Sequence, residues 1–103
     1  MHTRSEMDGG QDFMGTLVGR VTLADGQAIP GVLVTAASPA MAGERTCVSQ
    51  ESGQYVMRNL PPGSYDVSFQ LEGFAPVEES AEVLAGSKAQ VDVTMQVTSQ
   101  EEA

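Results

Sequence analysis

The chain is poor in the residues that most catalytic and nucleic-acid chemistry draws on. It has one cysteine, one histidine, no tryptophan, and five basic residues against fourteen acidic ones. A single thiol excludes an internal disulfide, so this is not a stapled secreted scaffold. Nucleophilic catalysis by Cys47 would want an imidazole nearby, and the only one, His2, lies in a polar N-terminal stretch. Cys47 reads instead as a small apolar residue on a strand. With a net charge of −9, and with Arg4, Arg20, Arg45, Arg58 and Lys88 scattered along the chain, there is no cluster of cations to neutralise nucleic-acid phosphates. An anionic membrane surface would repel the same chain, and the acidity reads as solubility and self-repulsion. No apolar run approaches the ~20 residues of a membrane span. The opening "MHTRSEMDGGQDFMG" lacks the apolar stretch of a signal peptide. With Met1 as a natural start the protein is expected in the cytoplasm. As a piece of a longer exported chain it is expected in the cell envelope, periplasmic or extracellular.

What the chain does have is regular alternation. Its 103 residues, 41 % of them apolar, suffice for one core without metal or disulfide help. Aromatics are few (Phe13, Tyr55, Tyr65, Phe69 and Phe74), so Val, Leu, Ala and Met must fill most of that core. Residues 1–14 read as a polar leader, 15–97 as the domain, and "TSQEEA" at 98–103 as an acidic tail. Between the ends no helical spacing occurs. Period-2 segments recur every ten residues or so, separated by turn residues, which predicts an all-β sandwich.

Seven strands are predicted: 16–23, 32–36, 45–49, 55–60, 64–71, 76–84 and 88–97. Asp25-Gly26 and Gly53 mark turns between them. The fifth strand aligns Tyr65, Val67, Phe69 and Leu71 on one face, and the seventh aligns Ala89, Val91, Val93, Met95 and Val97. Ahead of the fifth strand, "NLPPG" places two prolines that end the preceding strand and a glycine expected to reverse the chain. Seven half-buried strands need two sheets packed face to face.

The run "GTLVGRVTLADGQAIPGVLVTAASP", then "TCVSQESGQYVMRNLPPGSYDVSFQLEGF", then "VLAGSKAQVDVTMQV" resembles the carboxypeptidase regulatory-like domain. That resemblance implies a seven-stranded Greek-key β-sandwich of the transthyretin-like, or prealbumin-like, kind. The wording is most similar to copies near the N-terminus of bacterial TonB-dependent outer-membrane receptors. It therefore implies a non-enzymatic accessory module, a spacer or protein-docking domain of a cell-envelope protein. The alternative is a free-standing small protein that assembles through an edge strand with itself or a partner.

Relatives of this fold with chemistry need residues that are missing here. Hydroxyisourate hydrolases need more than one His and a C-terminal Tyr-Arg-Gly-Ser, and intradiol dioxygenases bind iron through two Tyr and two His. A peptidase zinc would need a His-x-x-Glu pair. The isopeptide-locked adhesin domains need a lysine on the first strand, where this chain has Arg20. No catalytic, cofactor or metal residues are expected, and the carboxylates read as solvated strand faces rather than a calcium loop. Carbohydrate is disfavoured, since Tyr55, Tyr65, Phe69 and Phe74 are assigned to the core or its rim. The remaining candidate is the weakly alternating sixth strand, whose Glu78, Glu79 and Glu82 suggest an edge that could take a partner protein's strand.

Overall fold

The structure, a computed structural model, describes residues 14–39 and 43–98. The leader and tail expected at the two ends lie outside the described residues, apart from Met14 and Thr98, and so does part of the connection 38–44. The described residues contain eight strands: β1 (Gly15–Thr22), β2 (Leu33–Ala37), β3 (Glu44–Val48), β4 (Gln54–Leu60), β5 (Gly63–Gln70), β6 (Val77–Val83), β7 (Lys88–Gln90) and β8 (Val93–Thr94). One sheet runs β4-β1-β7 with β8 also on β1, and the other runs β3-β2-β5-β6. The chain changes sheet at β1→β2, β3→β4, β4→β5 and β6→β7, the interleaving of a Greek-key sandwich.

Alternation places the core where the spacing predicts it. Leu17 and Val21 of β1, Val34 and Ala36 of β2, Tyr55 and Met57 of β4, and Tyr65, Val67 and Phe69 of β5 are all buried. The rings of Tyr55 and Phe69 meet edge to face across the two sheets, 5.5 Å between centroids, a geometry that adds to their burial.

The final strand departs from expectation. The run 88–97 predicts one strand, but the structure has two short ones, both parallel to β1. A side chain breaks the ladder: the Arg20 main-chain N–H donates to Asp92 Oδ1 at 3.0 Å instead of to a carbonyl. The Val91 carbonyl turns inward and accepts from the Tyr55 hydroxyl at 2.6 Å. Pairing then resumes, with Met95 N–H donating to Thr22 O at 2.9 Å. The inward phase survives the break, since Val93 and Met95 are buried and Ala89 and Val91 pack against the core. Val97, expected inward, is 61 % exposed. By then the chain has run past the end of β1 and pairs instead with the Gly73–Ala75 turn, in an isolated bridge between Val97 and Phe74.

The "NLPPG" corner also differs. It joins strands of different sheets, so the two prolines carry the chain across the end of the sandwich rather than through a hairpin. The left-handed residue is Asn59, at φ 60°, while Gly63 opens β5 opposite Val83. Tyr65 secures the crossing by donating its hydroxyl back to Pro61 O at 2.6 Å.

Candidate protein-docking site

A two-layer sandwich has two flanks, and each flank exposes one edge strand from each sheet. Here the flanks are built differently. On one, β3 lies beside β4, and a β3 side chain occupies main-chain groups that β4 turns outward. The Arg45 guanidinium donates to Arg58 O at 2.6 Å and to Asn59 O at 3.2 Å. The Cys47 side chain lies near enough to the Val56 main chain for it to favour the thiolate slightly. Replacing Arg45 with Met should free both carbonyls and lower the domain's stability by about 1–2 kcal/mol. A denaturation midpoint equal to the parent's would show that this clamp is idle.

On the other flank, β6 pairs with β5 alone among the described residues. The spacing-based expectation that this weakly alternating segment forms an edge agrees with the sheet order. All three candidate acids lie on it and are exposed: Glu78, Glu79 and Glu82. They do not point the same way. Glu79 stands opposite Val67 and shares the inward phase of Val77, Ala81 and Val83, whereas Glu78 and Glu82 stand opposite Ser68 and Ser64 on the outer face. Sequence spacing alone already puts Glu79 in the apolar phase, a signal the grouping of the three acids obscures. An inward-phase charge on an edge strand makes indiscriminate apolar pairing costly. Toward its Val83 end β6 is covered, since a Cβ on Gly15 of β1 would collide with the Val83 side chain. The open length is therefore the acidic part.

The other titratable groups behave as structural ones. Burial pushes the Tyr55 phenol far above its ordinary range, and the charges of Asp92, Cys47 and Glu79 push it further. Its hydroxyl therefore remains a donor to Val91. Burial also raises the Cys47 thiol, against a smaller opposing pull from the Val56 main chain. That direction is the reverse of what a nucleophilic thiol requires. Among the described residues no three of His, Cys, Asp and Glu converge as metal ligands would. No described helix is long and apolar enough to cross a membrane. Tyr55, Tyr65 and Phe69 are buried and Phe74 packs against the core, as their phases predict.

The family model described as the carboxypeptidase regulatory-like domain matches residues 16–96. The chain belongs to that family. This carboxypeptidase regulatory-like domain is 42 % identical, over 67 residues, to the TonB-dependent transporter Oar of Myxococcus xanthus. That match takes in 64 % of the chain but only 6 % of the transporter, so the domain spans a small fraction of its relative's length. Among solved structures, the Bacillus anthracis TIE protein is similar with a TM-score of 0.71 at 17 % identity, covering 82 % of the domain and 16 % of that chain. A streptococcal ancillary pilin is similar with a TM-score of 0.66 at 17 % identity, covering 82 % of the domain and 33 % of that chain. At such identities the likeness shows the sandwich fold alone.

Proposed function

We propose that this domain is a non-enzymatic accessory module of a bacterial cell-envelope protein, a spacer and docking unit beside an outer-membrane transporter. Its docking site is the β6 edge bearing Glu78, Glu79 and Glu82. The likeness to a TonB-dependent transporter supports the setting. The observation that carries the docking role is a difference between the flanks: β3 and β6 each pair with one strand, but on the β3–β4 side the Arg45 side chain occupies two outward carbonyls of β4, whereas among the described residues no side chain bonds the outward main chain of β6. An edge of that kind accepts an added strand through main-chain pairing. Its acids select one carrying Lys or Arg opposite them, since like charges directly across a ladder repel. A second copy pairing β6 to β6 would set acids against acids, which disfavours self-assembly as the alternative.

The test is site-specific crosslinking in the envelope of the source cell. A photoreactive side chain at Ser80 of β6 should give one discrete protein adduct, lost when Glu79 is changed to Pro. The same label at Thr46 on the clamped β3 should give none. Equal labelling from the two positions, or none from Ser80, would refute the docking edge. Adducts consisting only of this domain would favour self-assembly.

A further inference from the structure

The two outer faces of the sandwich carry opposite charge. On the β3-β2-β5-β6 sheet the outward positions include Glu44, Asp66, Glu78 and Glu82 and no basic residue. On the β4-β1-β7 sheet they include Arg20, Arg58 and Lys88, three of the five basic residues of a chain with net charge −9. Scattered along the sequence, these three are gathered by the fold. Between Arg20 and Lys88 lies a hollow of about 560 Å³, with Val18 and Val56 as its floor, Gln54 and Gln90 around it and Asp92 at its rim, while Arg58 stands outside its lining. That volume lies within the range of natural ligand sites.

The cations there are not occupied by the protein. Arg20 spends only its Nε, donating to Ser52 O at 3.0 Å. Among the described residues, its Nη atoms, the Arg58 guanidinium and the Lys88 ammonium have no protein acceptor. The one acid at the rim is engaged: Asp92 accepts from the Arg20 main-chain N–H at 3.0 Å and from Gln90 Nε2 at 3.1 Å. Unpaired donors above an apolar floor, in an otherwise acidic molecule, suit an anion.

Register sets the spacing of those anions. Lys88 pairs with Thr16 on one side of β1, and Arg58, next along from Met57 opposite Leu17, flanks it on the other. Arg20 lies four residues further along β1, about 13 Å at strand rise. An extended peptide has the same rise. Carboxylates four residues apart would meet the Lys88–Arg58 pair and Arg20, and the residue midway, on the same side of the peptide, would rest on Val18 and Val56. The ring at the hollow, Tyr55, is 1 % exposed and packs inward against Phe69, so it offers no face for a sugar to stack on, which favours peptide over saccharide. We infer that this sheet face binds an extended acidic peptide segment of the pattern acid-x-apolar-x-acid, independently of the β6 edge.

The probe is a fluorescein-labelled peptide, acetyl-Glu-Ser-Val-Ser-Glu-amide, titrated by anisotropy at low ionic strength. Saturable binding is expected, weaker in 0.3 M salt because the charges are exposed. Arg20→Gln and Lys88→Gln, both at exposed positions, should each weaken it roughly fivefold, the scale of a single surface charge pair. A peptide with its two acids adjacent should bind several-fold less well. Binding indifferent to acid spacing and to both variants would overturn the assignment, as would tighter binding of a uronate oligomer than of any peptide. Asp8 and Asp12 of the chain have the same spacing. Peptide binding seen only in an Asp8→Asn, Asp12→Asn variant would show that the chain's own segment is the occupant, and would overturn a separate partner.

Discussion

Replacing Val67 with Asp should leave a chain with no cooperative thermal transition. Val67 has no exposed surface and sits mid-strand on β5, paired with Ala36 on one side and Glu79 on the other. A carboxylate there loses its water and gains no cation, at a cost of several kcal/mol even after it takes up a proton. Glu79, across the ladder, would make matters worse. A domain of this size has only about 5–15 kcal/mol of stability in all. Gln70→Asp, on the outward phase of the same strand, should stay within about 0.5 kcal/mol of the parent. Circular dichroism melts of the two variants decide the matter. A cooperative Val67→Asp transition near the parent temperature would mean that the inward register of β5 is wrong.

The second large effect is expected at Gly19. A Cβ built there would collide with the Val91 carbonyl and come within 2.6 Å of the Tyr55 hydroxyl oxygen. Neither can retreat freely, because the two are hydrogen-bonded to each other at 2.6 Å. Gly19→Ala should therefore destabilise by about 3 kcal/mol, the upper end for forcing one carbon into a filled interior. Tyr55→Phe, which keeps the ring and strands the Val91 carbonyl, should cost about 1–3 kcal/mol. The double variant should cost less than the sum, since both act on one three-part contact. Urea titrations of the three proteins measure this, and a neutral Gly19→Ala would show that Val91 shifts without resistance.

These two sites also mark what a sequence of this kind discloses and what it hides. Val67 was legible because alternation is a local signal: burying one face of a strand writes itself into every second residue. The acidic edge was legible for a related reason, since Glu79 interrupts the apolar phase of Val77, Ala81 and Val83 while Glu78 and Glu82 stand on the polar one. The contact at Gly19 was not, because it depends on a carbonyl 72 positions further along the chain. The same holds for the split between β7 and β8, which rests on Asp92 accepting from the Arg20 main chain, again 72 positions away. The two prolines announced a corner without saying whether it turned back in one sheet or crossed to the other. The Arg45 clamp and the gathering of Arg20, Arg58 and Lys88 exist only once β3, β4, β1 and β7 are side by side.

The parallel pairing of β1 with β7 and β8 bears on how the domain would carry load. The described chain enters at the Gly15 end of β1, beside Lys88, and leaves beyond β8, past the Thr22 end. Its two ends therefore emerge at opposite poles, and tension between them pulls β1 one way and β7–β8 the other. The hydrogen bonds joining these strands run across that line, so they are stretched together instead of opening one after another like a zip. A module threaded into a longer chain in this way must break those hydrogen bonds together before it can be drawn out lengthwise.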